Sequence, residues 1–313
     1  MQTFSFSDAF EVRRLSFFAN TFFLIGIMVL YPIAGALLFF LVNGNWGFSL
    51  LHIESRMLPS MRFIQACGQI VVLALPVLLL AARHTRRKNP FCTESLAFLG
   101  IGRNFNVAAA GLAAGGVFLL QPLLYTISAV QDLYLWPALG NAGAEVVRQR
   151  DVMEAFIRQL ALVRSGPEFF AVAAVFAVIP AVCEELLFRG YIQENYSRSM
   201  SRGSAVLLTG FVFAFFHLSA ANLFPLTLLG WYIGYIYSET GELALSFFVH
   251  LVNNSAALIL LMLAETSDLA ALVQPECLLR AVWWWPVVGG SLLLFVMVMR
   301  RFSVAIKKVG DLG

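Results

Sequence analysis

Eight predominantly apolar runs, most of them near the length needed to cross a bilayer, dominate this 313-residue chain. They fall at about 17–42, 63–82, 107–130, 169–189, 204–219, 222–238, 243–264 and 282–299, the fifth and sixth being short and close together. About 20 apolar residues wound as a helix span a hydrocarbon core. Only helices or closed barrels satisfy every backbone group in lipid. A barrel needs ten-residue strands of alternating polarity, and none are seen. The chain is 60% hydrophobic and only 12% charged, too apolar for a water-facing surface. The expectation is an all-α, polytopic transmembrane bundle of about eight helices.

The basic residues orient that bundle. With the N-terminus inside, the cytoplasmic segments hold thirteen Lys and Arg (Arg13, Arg14, Arg83, Arg86, Arg87, Lys88, Arg103, Arg198, Arg202, Arg300, Arg301, Lys307 and Lys308). The outer segments hold seven: Arg56, Arg62, Arg148, Arg150, Arg158, Arg164 and Arg280. The positive-inside rule then places both termini in the cytoplasm, in the inner membrane if the source is prokaryotic. The net charge of +3 follows from this topology and marks no nucleic-acid surface. The first run is too long for a cleaved signal peptide and is expected to remain as a helix. Cys67, Cys92, Cys183 and Cys277 show no CxxC spacing, which excludes a zinc ribbon or a disulfide framework.

Three regions are expected: N-terminal helices with an interfacial segment over 1–164, a central helical unit over 165–265, and a last helix with a basic tail over 266–313. The longest polar interval is 131–168. Within it Met153, Phe156, Ile157, Leu160 and Val163 recur at helical spacing, opposite Arg150, Arg158 and Gln159. That pattern fits an amphipathic helix on the outer interface, or a lid over a cavity. Trp283, Trp284 and Trp285 open the last run as an interfacial aromatic belt.

Ionisable groups inside apolar runs are costly and mark function by default. His52 and His84 fall in loops, and all five aspartates lie outside the runs. The intramembrane candidates are Glu184 and Glu185 in IPAVCEELLFRG, His217 in FVFAFFHLSA, and His250 with Asn253 and Asn254 in LSFFVHLVNNSA. The first three runs carry only amides such as Gln65, Gln69 and Gln121. Glu185 and Arg189 are i,i+4 in the favourable order, so they can pair along one helix face. Glu184 lies about 100° round the helix and is free for other work. His217 shares a face with Phe213, and His250 with Asn254. Pro180 removes a backbone bond one turn before Glu184. If the fourth helix ended at Arg189, Glu184 would lie far shallower than His217. Continuation to Arg198 or Arg202 brings the two depths together and buries Arg189 against Glu185.

EELLFR (184–189), FAFFH (213–217) and HLVNN (250–254) match EExxxR, FxxxH and HxxxN in order, on separate runs. The chain therefore resembles the CAAX-protease and bacteriocin-processing (CPBP, or Abi) family of intramembrane proteases over about 165–265. The resemblance implies that Glu184 activates the attacking water with His217, while His250 and Asn254 face the developing oxyanion. Glu185, Arg189 and Phe213 would support them. Peptide hydrolysis needs these parts: a base, a proton donor for the leaving amine, and preorganised oxyanion donors.

Two chemistries stay open. Glu184, His217 and His250 would make a His₂Glu set for a divalent metal such as zinc. The same residues suit a metal-free glutamate–water mechanism, and an amide one turn from His250 favours it. The partners implied are the bilayer and a membrane-associated protein or peptide, lipidated in some members of the family, with no nucleic acid. HExxH is absent, and no membrane aspartate or Ser–His pair supports another intramembrane protease type. The alternatives are a transporter using the buried Glu/His cluster as a proton or metal carrier, and a catalytically silent scaffold or immunity protein.

Overall fold

The computed structural model describes residues 14–44, 54–102, 105–266 and 275–310; Arg13, His52 and Arg103 lie outside them. The described residues are helical and contain no strand. The helices are α1 (Phe17–Asn43), α2 (Ser55–His84), α3 (Thr93–Phe98), α4 (Val107–Ala138), α5 (Asn141–Ala161), α6 (Gly166–Ser197), α7 (Arg202–Phe216), α8 (Leu223–Thr240), α9 (Leu243–Thr266), α10 (Pro275–Arg280) and α11 (Trp284–Gly310). Six of them, α1, α2, α4, α6, α9 and α11, are long and apolar enough to cross a membrane. This marks an integral membrane protein. The hairpin α7–α8 accounts for the two short runs, and α7 is a shorter apolar helix.

Several boundaries differ from the sequence expectation. The second helix starts at Ser55, so Arg62, expected in an outer loop, lies within it and is buried at 5% exposure. Arg62 tolerates this because its Nε donates to the Leu160 carbonyl at 2.9 Å, at the C-terminal end of α5 where carbonyls lack helical partners. α4 runs on to Ala138, which places Asp132 inside it; Arg150 of α5 meets that carboxylate at 2.5 Å. The amphipathic helix does form, and its apolar stripe packs Leu160 and Phe156 against Leu58, Met61 and Phe39. Val163 falls beyond its end.

Prolines shape three of the long helices. Pro76, Pro137 and Pro180 each follow a π-helical turn, at Gln69–Ala74, Gln131–Leu135 and Ala174–Val178. A proline lacks the N–H that the carbonyl four residues earlier requires. The next N–H lies five residues on, which is the π spacing, so a wider turn restores the bond. A fourth π segment, Leu186–Gln193, has no proline after it and sits at the centre of the molecule.

Two apolar cores meet on α8. One joins α1, α2, α6 and α7 around Leu187, Phe188 and Ile192; the other joins α4, α8, α9 and α11 around Val117, Ile233 and Phe302. Lipid is as apolar as leucine, so close packing must hold such helices together. The α7–α8 hairpin shows this at Gly210 and Gly230. A Cβ on Gly230 would meet the Gly210 carbonyl oxygen at 2.8 Å and its Cα at 2.9 Å, so only glycine permits the approach.

Candidate active site

α6 carries both acids, and its length settles their depth. It continues without a break to Ser197, so Glu184 lies about 20 Å from that end at 1.5 Å per residue. His217 closes α7 at about 22 Å from Arg202. α9 begins inside the bundle, where the Leu243 N–H donates to the Gly100 carbonyl at 2.9 Å and Leu243 packs beside Gly190. His250, two turns on, thereby reaches the level of the acids.

The four groups Glu184, Glu185, Arg189 and His250 are all buried. Arg189 Nη1 donates to Glu185 Oε1 at 2.6 Å, and Nη2 donates to the Gly230 carbonyl at 3.1 Å. Its guanidinium carbon lies 4.7 Å from the centre of the Phe213 ring. The expected i,i+4 pair is therefore present, and α8 joins it through backbone that a side chain at Gly230 would push away. Removing a charge from water is expensive, and these contacts offset part of that cost, while Arg189 Nε and Glu185 Oε2 are buried with no hydrogen-bond partner among the described residues.

Glu185 also orients the histidine. Its Oε1 lies 2.8 Å from His250 Nδ1, and a carboxylate only accepts, so Nδ1 carries the proton. Nε2 then faces Glu184 Oε2 at 3.9 Å, inside ion-pair range but beyond a hydrogen bond. Glu184 Oε1 accepts from Gln69 Nε2 at 3.3 Å, while its Oε2 is buried with no hydrogen-bond partner among the described residues. Glu184 thus has one oxygen held and one left to act.

His217 and Asn254 stand farther out. His217 is exposed, and its Nδ1 donates to the Phe213 carbonyl at 2.8 Å, leaving Nε2 as the free acceptor of the neutral ring. Among the described residues no hydrogen bond or ion pair joins it to Glu184. It reaches the cluster through Phe213, whose ring centre lies 4.8 Å from its own and 5.8 Å from that of His250. Asn254 is half-buried; its Oδ1 accepts from Asn253 Nδ2 at 3.3 Å, and Asn253 Oδ1 accepts from Gln121 Nε2 at 3.4 Å. This chain of amides leaves the Asn254 amide hydrogens to donate.

A metal fits poorly. Among the described residues no three His, Cys, Asp or Glu side chains gather as a metal site requires. Glu184 and His250 approach each other, but His217 does not complete the set.

Residues 166–256 match the family model described as type II CAAX prenyl endopeptidase Rce1-like. They include EELLFR, FAFFH and HLVNN. This segment is similar to an Rce1-like domain. No curated protein and no solved structure matches the chain significantly. The Rce1-like domain covers α6 to α8 and the first half of α9, and so contains every charged residue of the cluster.

Two contributions escaped the sequence reading. Gly230, inside the Rce1-like domain, supplies the carbonyl that Arg189 needs; the signal was a pair of glycines on two adjacent short runs. Gln69, outside the domain, is noticeable in sequence only as one amide in an apolar run, and nothing there links it to Glu184. The π segment that carries Arg189 is clamped from α1's side of the bundle. Arg14 donates to the Gly190 carbonyl at 3.4 Å, and Asn20 Nδ2 donates to the Ile192 carbonyl at 3.2 Å. Carbonyls loosened by the wide turn thus find side-chain donors.

Proposed function

We propose that the chain is a multi-pass intramembrane endopeptidase with both termini in the cytoplasm. In this reading Glu184 is the general base. The observation that carries it is the state of Glu184: a buried carboxylate with one oxygen held by Gln69 and the other unpartnered, beside His250, within an Rce1-like domain. Glu184 takes a proton from water as the oxygen attacks the scissile carbonyl carbon. Asn254 and His250 face the oxyanion that forms. His217 shares the proton work through its free Nε2. The proton then passes to the amide nitrogen as the C–N bond breaks. Glu185 and Arg189 act through position, holding His250 and the α6–α8 contact.

The description 'CAAX prenyl endopeptidase' supports a prenylated C-terminal tail as the substrate class to test. The decisive assay is cleavage of an internally quenched peptide bearing a farnesylated cysteine and a three-residue tail, by the full chain in detergent. Glu184→Ala is expected to lose activity by at least about a hundredfold, the ordinary share of general base catalysis. Wild-type turnover in that variant sinks the assignment. A strong chelator is expected to leave cleavage unchanged, because no three-ligand set gathers among the described residues. Loss of turnover with chelator, restored by zinc, would overturn the metal-free mechanism.

A further inference from the structure

Gln69 lies outside the Rce1-like domain, on the π turn of α2, and is 5% exposed. Its amide nitrogen can only donate and its amide oxygen can only accept. Nε2 is committed to Glu184 Oε1. Gln69 Oε1 is buried and has no hydrogen-bond partner among the described residues, and the same is true of Glu184 Oε2. Two side chains already joined by one hydrogen bond therefore each present a second, unmet acceptor. Buried polar atoms in folded proteins are nearly always paired, often by water. One molecule with two O–H donors answers both acceptors.

One turn before Gln69, Gln65 Nε2 donates to the Tyr31 hydroxyl at 3.5 Å, which extends the polar strip across α2 to α1. The π turn itself is explained by Pro76, so the register of Gln69 towards α6 follows from local backbone chemistry.

We propose that Gln69 positions the hydrolytic water, and that the N-terminal helices thereby complete a site whose charged residues all belong to the Rce1-like domain. The inference rests on Glu184 being the base. The water gives one O–H to Glu184 Oε2 and the other to Gln69 Oε1, which leaves an oxygen lone pair for the scissile carbonyl. As the new C–O bond forms, the first proton moves to Glu184. The second stays on the oxygen, held by Gln69, until the C–N bond breaks and the amine leaves with a proton. Meanwhile the Gln69 amide hydrogen on Glu184 Oε1 fixes which carboxylate oxygen reacts.

The test uses the full chain with the farnesylated quenched peptide and compares wild type, Glu184→Ala, Gln69→Leu and Gln69→Met. Methionine has the length and flexibility of glutamine, so it serves if leucine at 69 disturbs folding, which size-exclusion chromatography reports. In either variant kcat is expected to fall about tenfold to a hundredfold, the cost of a misplaced reacting group. KM is expected to stay within about twofold, since uniform substrate binding is untouched. The solvent deuterium isotope effect on kcat is expected to rise, which a merely structural role would not produce. Wild-type kcat in both variants, or a lower kcat with an unmoved isotope effect, overturns the inference while leaving Glu184 as base if Glu184→Ala is inactive. If Glu184→Ala is as active as wild type, the base assignment and this inference fall together. A readout free of turnover is the infrared carboxylate band of Glu184, identified by its loss in Glu184→Gln. The band is expected to shift in Gln69→Met, and an unmoved band removes the hydrogen bond on which the proposal stands.

Discussion

Arg189 is the residue that most constrains this site. It is fully buried, and its charge is met by Glu185, by the Gly230 carbonyl and by the Phe213 ring. A buried pair owes little to the attraction alone, because desolvation offsets it; removing one partner is what costs. Arg189→Met is therefore expected to destabilise the chain by about 3–5 kcal/mol, read as a lower unfolding temperature in detergent. The double variant Glu185→Gln/Arg189→Met is expected to recover part of that loss, since no uncompensated carboxylate remains. A double variant that melts below the single one would show that Glu185 stabilises by some route other than this pair. The pairing itself was legible from spacing alone, as Glu and Arg four apart in that order. The coupling of Glu185 to His250 was not, since 65 residues separate them and only the packing of α9 against α6 joins them. His217 shows the converse. Its i,i+4 relation to Phe213 is present, yet the ring closes α7 and is exposed, because the helix ends at Phe216, short of the end of the apolar run at 219.

Helix limits and helix defects decided how much of each element could be read. Hydropathy located all eight apolar segments, since each run must be helical to satisfy its backbone. It could not tell that Arg62 and Asp132 lie within helices, because each is held by a distant partner: Arg62 donates to the Leu160 carbonyl and Asp132 pairs with Arg150. The π turns before Pro76, Pro137 and Pro180 follow from proline chemistry and were readable in principle. The one at Leu186–Gln193 was not, because its loosened carbonyls are held by Arg14 and Asn20 from elsewhere. The α7–α8 crossing gives the sharpest test at this scale. Gly230→Ala places a methyl under 3.0 Å from Gly210 backbone and displaces the carbonyl that Arg189 uses. It is expected to cost about 1–3 kcal/mol and to lower cleavage as well as unfolding temperature. Gly26→Ala in α1, where a Cβ meets nothing within 4 Å, serves as the control and is expected to leave both unchanged or raise the temperature slightly. Equal behaviour of the two variants would mean that the hairpin tolerates being pushed apart.

At the scale of the whole molecule, the orientation in the membrane depends on parity more than on the exact number of crossings. Between Cys92 and Cys277 lie three long apolar helices, α4, α6 and α9. The α7–α8 hairpin adds two crossings or none: α7 is about 22 Å long, short for a core of about 30 Å. The sum is odd in both cases, so the two cysteines belong on opposite sides. By the same count, if the long helices span the bilayer, α1 to α11 would cross an even number of times, which would keep the termini together. Cys92 follows the basic stretch RHTRRKNP, which the positive-inside rule assigns to the cytoplasm. Both thiols are free, with Cys277 exposed and Cys92 partly so, while Cys183 is buried. A membrane-impermeant maleimide applied to intact cells is therefore expected to modify Cys277 and spare Cys92, with both modified after permeabilisation, as peptide mapping would show. Labelling of both from outside would require one of the long helices to stop short of crossing. Labelling of Cys92 alone would invert the molecule and move the ends of α6 and α7 nearest the basic loops to the outer face, so that a cytoplasmic prenylated tail would have to reach Glu184 from the opposite side.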